Sequence, residues 1–286
     1  MAFLDAFKFG KGPWDPSHRY ETSWLLPPWL LFACRALFSL YAFVDLFFTL
    51  GWTCTHASAG GCQTARRTFS YFTVLTYWGI AFYFAVSATH TLTYILSRGR
   101  SSLLARLPRP LQALHALYYT SVTTLPFLVT VVAWTLLFTG RWFPETYDAW
   151  SNVSQHALNS AFALFELVFA RAAPPPWVHV LGLILILLGY LAVAFITVAD
   201  QGWYTYRFLD HDKVGGRGFV AAYILGIAVG IIVIFALVWG LIHLRVWVTE
   251  KKLGMEGKFV AETNTAEETD LERGTTQETK EQERKG

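Results

Sequence analysis

Residues 177–199 read WVHVLGLILILLGYLAVAFITVA, 23 positions without one Asp, Glu, Lys or Arg. At 1.5 Å per residue this run makes a helix of about 34 Å, enough to cross the roughly 30 Å hydrocarbon of a bilayer. It does not alternate, and it is twice the length of a barrel strand. Five more runs of similar kind lie outward from it: Pro27–Trp52, Phe69–Leu96, Gln112–Thr139, Trp150–Ala170 and Phe219–Trp247. The pattern predicts an all-α polytopic membrane protein with about six transmembrane helices in one bundle. It divides the chain into an N-terminal segment (1–26), a transmembrane domain (27–247) and a charged tail (248–286). The tail is rich in Glu, Thr and Lys and is expected to be disordered.

Charge placement supports this division. The 286 residues are 54% hydrophobic and 15% charged. From Glu250 onward there are 10 acidic and 7 basic residues, which leaves 10 acidic and 16 basic for the first 249 positions. One charge in ten is too few for the surface of a soluble domain of this length. That balance excludes an ordinary cytosolic enzyme, a secreted disulfide scaffold and a nucleic-acid binder. The first twenty residues lack an apolar stretch ahead of a cleavage site, so no cleavable signal peptide is expected. Phe3, Leu4, Phe7 and Phe9 are suited to the headgroup layer.

Six spans put both termini on one side. That side carries twelve Lys and Arg near the spans, among them Arg19, Arg98, Arg109, Arg171 and Arg245, and the other side carries six, Arg66, Arg67, Arg141, Arg207, Lys213 and Arg217. The excess places both termini in the cytosol, with the endoplasmic reticulum or another endomembrane as the expected location and the plasma membrane as the alternative. Cys54 and Cys62 then face a lumen, where a disulfide and two free thiols are both open readings.

The fourth run is unusual. It holds Asn152, Ser154, Gln155, His156, Asn159, Ser160 and Glu166. So polar a row does not face lipid, and the helix is expected to be shielded by the others. Asn152, His156, Asn159 and Ser160 fall at i, i+4, i+7 and i+8, one stripe that lines either a polar cavity or a helix–helix seam. Arg35, His90 and Glu166 read as satisfied interhelical groups or snorkelling ends. Thr73, His156 and Asp45 lie about 8, 9 and 10 Å from the lumenal ends of their spans. A nucleophile, its base and an orienting acid need such a shared layer. Asn152 and Asn159 are the candidates to orient the imidazole or to donate to an oxyanion. No phosphate-binding Gly loop, Gly-x-Ser-x-Gly elbow, Cys-x-x-Cys or His-x-x-x-His is present, so neither a metal nor another cofactor is expected. Trp203, Tyr204 and Tyr206 read as an interfacial aromatic belt.

Three segments carry a resemblance. FSYFTVLTYWGIAFYF (69–84), WSNVSQHALNSAFALFELVF (150–169) and GYLAVAFITVADQGWYTYRFLDH (189–211) resemble signatures of the androgen-induced membrane protein family. DPSHRYETSWLLPP (15–28) resembles its fungal branch. The likeness covers about Leu30 to Trp247. It implies a six-helix membrane enzyme that hydrolyses fatty acid esters of hydroxy fatty acids, with Thr73 as nucleophile and His156 as base. Its partners would be a lipid substrate and the bilayer itself. The chain departs from animal members at Thr76, where they carry Asn or Asp. Two other classes stay open on the residues alone. One is a lipid-binding or scaffold protein without chemistry. The other is a transporter, whose polar residues should continue through the whole bilayer, whereas here they concentrate in the lumenal third.

Overall fold

Proline and glycine set where the helices begin and end. Pro28 opens the first helix, where its missing N–H would have had no partner, and Gly202 closes the fifth at φ +70°, a conformation that glycine adopts without a Cβ penalty. The computed structural model describes residues 14–138 and 140–255. The early phenylalanines and the tail beyond residue 255 lie outside the described residues.

The long helices are α1 (Pro28–Thr55), α2 (Phe72–Leu96), α3 (Arg109–Val132, continued by a π turn over Ala133–Leu137), α4, α5 (His179–Gln201) and α6 (Arg217–Val246, continued by a π turn over Trp247–Lys252). Helix α4 is built in three parts: Thr146–Val153, a π turn over Ser154–Leu158, and Asn159–Phe169. Among the described residues there is no strand, only an isolated antiparallel bridge between Ser23 and Ala170. Five of the helices are long and apolar enough to cross a membrane. Their outward faces carry large exposed apolar side chains, such as Ile196 (64% exposed) and Leu225 (65%), the surface that lipid tails cover. The protein is an all-α, multi-pass membrane protein.

Helix α4 is too polar to count among those five, yet it runs the same distance. Near its start the Tyr147 hydroxyl meets Thr53 Oγ1 at 3.1 Å, at the end of α1. Near its finish Glu166 pairs with Arg35, close to the start of α1. Nineteen residues separate these points, about 28 Å of helix, so α4 crosses the layer antiparallel to α1. It packs most closely on α3. Glu166, Ser154 and Asn159 are buried, as expected of a shielded helix.

The two ends of the described chain meet on one face, called the terminal face below, where Arg19 is paired with Glu250. The helix that begins at Arg217 runs on through a π turn over Trp247–Lys252, and Thr249 is itself buried. Arg245 donates to the Leu167 carbonyl at 2.9 Å and to the carbonyls of Ala170 and Ala172, which caps the end of α4. On the opposite face Cys54 and Cys62 form a disulfide that closes the loop after α1, and Cys34 is free.

Polar burial is not confined to one third of the bundle. Arg35 does not snorkel. Its side chain and that of Glu166 are both 0% exposed. Arg35 Nε meets Glu166 Oε2 at 3.2 Å, Nη2 meets Oε1, and Nη1 donates to the Tyr20 carbonyl (2.9 Å) and to Thr91 Oγ1 (2.7 Å). The Tyr83 hydroxyl donates to Glu166 at 2.9 Å. His90 and His115 lie beside this cluster, ring centroids 4.9 Å apart. The expectation of an apolar terminal half is therefore corrected, because the charges of Arg35 and Glu166 survive there by pairing with one another. An aromatic layer separates this cluster from the opposite face. Phe38 stacks on Phe162 at 4.6 Å and meets Phe84 edge-on at 5.4 Å.

Removing one partner of a buried pair leaves the other charge uncompensated, at about 3–5 kcal/mol. Arg35→Met should therefore melt well below wild type in detergent, and Arg35→Met with Glu166→Leu should recover part of the loss. A double variant no more stable than the single would show that the pair is not what the bundle loses.

Glu21, in the segment before α1, is 1% exposed, and burial raises its carboxyl from the ordinary 4.5 to about 7. Ser102 donates to it, and His18 lies 3.9 Å away with its own pKa lowered by burial. A raised carboxyl contributes stability that is complete below about pH 4.5 and is lost as pH rises through about 7, on the order of 3 kcal/mol across the window. Glu21→Gln should match wild type in thermal melts at pH 5 and exceed it at pH 8. Equal melts at both values would refute this.

Candidate functional site

Three irregularities on the face opposite the termini open a cavity of about 820 Å³. The first is the start of α2. Residues Thr68–Ser70 form a 3₁₀ turn, Tyr71 is extended, and the α-helix begins only at Phe72. Thr73 is thus the second helical residue, nearer the mouth than a span starting at Phe69 implied. The second is the π turn at the end of α3, which brings Ala133, Trp134 and Leu137 to the wall. The third is the π turn in α4, which holds His156. Such turns concentrate at functional sites because they re-aim side chains out of the helical register.

Thr73, His156 and Asn152 all line this cavity, together with Gln155 and Tyr206. The imidazole Nδ1 of His156 lies 3.0 Å from the Asn152 carbonyl oxygen. A carbonyl only accepts, so Nδ1 carries the proton and Nε2 keeps its lone pair, the form a general base needs. Asn152 thus orients the ring through its backbone, while its side-chain amide turns back to the Asp148 carbonyl at 2.9 Å. The His156 carbonyl in turn accepts from Thr130 Oγ1 (2.8 Å) and Trp134 Nε1 (3.0 Å), which fixes the residue from α3.

The stripe at i, i+4, i+7 and i+8 does not stay on one wall. The π turn carries an extra residue, so the face rotates after His156. Asn159 is 1% exposed and outside the cavity wall. It accepts from Thr130 at 3.1 Å and donates to the Pro126 carbonyl at 3.4 Å. It joins α4 to the proline-containing part of α3 and does not reach the imidazole, contrary to the role expected of it. Asp45 is also off the wall. It lies ten residues before the end of α1 at Thr55, deeper than its span boundary implied, and accepts from Gln155 Nε2 at 3.0 Å. Asp45 therefore reaches the cavity only through Gln155.

Among the described residues no hydrogen bond joins Thr73 to His156. Beside Thr73 on the wall, the Tyr206 hydroxyl accepts from the Phe72 N–H at 3.1 Å. Tyr206 is 9% exposed and stacks on Phe208 at 5.0 Å. The expectation that it belongs to an interfacial belt is corrected, because it points inward and caps α2. An aromatic cluster after a span carries the same composition either way.

A second, apolar cavity of about 110 Å³ runs between α3, α5 and α6, walled by residues such as Val132, Leu187, Leu191 and Ile227. It meets the larger cavity at Thr73, Ala133, Leu137 and Tyr206, which line both. On its outer side it shares Leu128, Val132 and Ile227 with a groove on the α3–α6 surface. Elsewhere, ligand atoms of Asp210, His211 and Asp212 lie within 4.8 Å of one another. Asp210 there accepts from the Asp212 N–H (3.2 Å) and pairs with Lys213 (3.2 Å), as the cap of a short helical turn. No family model, curated protein or solved structure matches the chain.

The slot's lining is mostly apolar, the kind of wall an alkyl chain would contact. Labelling by a photoactivatable fatty acid, mapped by mass spectrometry, should fall on Leu187 and Leu191 and be lost in Val132→Trp, which fills the slot. Labelling that Val132→Trp leaves unchanged would show the slot closed to chains.

Proposed function

We propose that the protein is an integral-membrane lipid ester hydrolase with Thr73 as nucleophile and His156 as base. One observation carries the reading: a buried threonine hydroxyl stands where a polar cavity, holding a histidine with a free Nε2, meets an apolar slot that opens toward lipid. An ester dissolved in the bilayer places its chain in the slot and its carbonyl beside Thr73. His156 Nε2 takes the hydroxyl proton, Thr73 Oγ1 bonds to the carbonyl carbon, and the leaving oxygen departs with that proton. Water from the polar cavity repeats the sequence in reverse, frees the acid and restores Thr73. Resemblance to the androgen-induced membrane protein family supports fatty acid esters of hydroxy fatty acids as the substrate class. No cofactor takes part.

The terminal face is the cytosolic one on the Lys and Arg excess, which turns the cavity to the lumen of an endomembrane. The Cys54–Cys62 disulfide on the cavity face supports the same orientation, because disulfides persist in oxidising compartments. A lipid-binding protein without chemistry would use the same slot, and the absence of a Thr73–His156 hydrogen bond favours that second reading. Catalytic hydrogen bonds often close only around substrate.

The deciding experiment is turnover of a hydroxy fatty acid ester by detergent-purified wild type, Thr73→Ala and His156→Ala with matched thermal melts. Wild type should turn over, Thr73→Ala should be inactive, and His156→Ala should lose about 10²–10⁴-fold in kcat. Full activity in Thr73→Ala, or none in wild type across several esters, would sink the hydrolase and leave the binding protein.

A further inference from the structure

Four residues line both the polar cavity and the apolar slot, and two of them are polar, Thr73 and Tyr206. A lipid ester with its chain in the slot and its hydrophilic side in the cavity has its carbonyl at that junction. The group at the junction that is neither nucleophile nor base is the Tyr206 phenol.

The phenol is held in a particular way. The start of α2 has no cap from its own segment, because Tyr71 at the cap position makes no side-chain bond to the first turn. Tyr206 supplies the cap from the loop after α5. Its oxygen accepts from the Phe72 N–H at 3.1 Å. A helix N–H therefore occupies an acceptor position of the phenol, which still carries a proton to donate. The position is rigid, since Tyr206 stacks on Phe208 at 5.0 Å, and its carbonyl accepts from the Leu209 N–H at 3.0 Å. The partial positive charge at the start of α2 also favours negative charge developing beside it.

The amides expected to serve this need are engaged elsewhere: Asn152 is bonded to the Asp148 carbonyl and Asn159 to the Pro126 carbonyl. We propose that Tyr206 is a third catalytic residue, whose phenolic O–H donates to the ester carbonyl oxygen as Thr73 attacks. The proton stays on the phenol throughout. It stabilises the oxyanion as a hydrogen bond, and the hydroxyl proton of Thr73 goes to His156 Nε2. The inference rests on the hydrolase reading.

The test compares wild type, Tyr206→Phe and Tyr206→3-fluorotyrosine in detergent, on the same ester, with Thr73 acylation by a fluorophosphonate followed by mass spectrometry. Tyr206→Phe should lose about 10²–10³-fold in kcat with KM changed little, the usual cost of an oxyanion donor. The fluorinated phenol keeps the cap but is more acidic, so the alkaline limb of its kcat–pH profile should move to lower pH. A merely structural cap would leave that limb in place. If wild type turns over and Tyr206→Phe keeps kcat within threefold, or the alkaline limb does not move, the proposal falls and the hydrolase stands. If wild type neither turns over nor is acylated at Thr73, the hydrolase reading fails and the proposal falls with it.

Discussion

A polar helix in a bilayer must be paired along its length, and the rest of this structure follows from how α4 meets that condition. A buried charge left without a partner in a spanning helix is costly. Glu166 meets that cost with a two-point contact to Arg35 and a hydrogen bond from Tyr83. Arg35 spends its remaining donors on Tyr20 and Thr91, so α1, α2, α4 and the N-terminal segment converge on one ion pair. Farther along, the Tyr41 hydroxyl meets Ser154 (2.8 Å), Asp45 takes Gln155 (3.0 Å), and Thr53 meets Tyr147 (3.1 Å). The contact between α1 and α4 is made by long side chains, which leaves α4 room to lie closest to α3.

That placement is what gives His156 its geometry. Pairing to α1 on one side and α3 on the other holds α4 through its π turn, where an isolated helix would revert to regular winding. The widened turn leaves the His156 carbonyl open to Thr130 and Trp134, so the residue is fixed by its backbone while its ring stays free to face the cavity. Thr73 is positioned by a different device, a helix start capped from another part of the chain. The two candidate groups are therefore held by separate frameworks, and the cavity is the gap between them.

The sequence shows the spans plainly, because lipid demands long uncharged runs and few other structures need them. It also shows that the fourth run must be shielded, since its polar row has no place in hydrocarbon. What it hides follows from irregular backbone. A stripe at i, i+4, i+7 and i+8 assumes 3.6 residues per turn, and the π turn breaks that assumption between His156 and Asn159. Depth estimates for Thr73 and Asp45 assumed helix boundaries that Tyr71 and Thr55 move. Tyr206 is invisible for another reason: its neighbours Trp203 and Tyr204 have the composition of an interfacial belt, and only the return of the loop over α2 turns it inward.

Buried polar groups on both faces bear on whether the bundle is a conduit or a closed site. A conduit needs polar groups in succession, so that a solute trades one partner for the next. Here the Arg35–Glu166 cluster and the His156 cavity are separated by Phe38, Phe84 and Phe162, stacked and edge-on at centroid distances of 4.6–6.2 Å, with Ala42, Ile80 and Ala81 filling the space around them. A charged or strongly hydrated solute would lose its partners across that layer. Arg35, Glu166, Tyr83 and Thr91 near the terminal face are engaged with one another in fixed geometry, as a structural clamp requires. Those of the cavity are arranged differently: His156, with Nε2 unbonded, and Tyr206 line open space beside an apolar slot. A boundary of this kind suits an amphiphile, with its polar group in the cavity and its chain against the apolar wall.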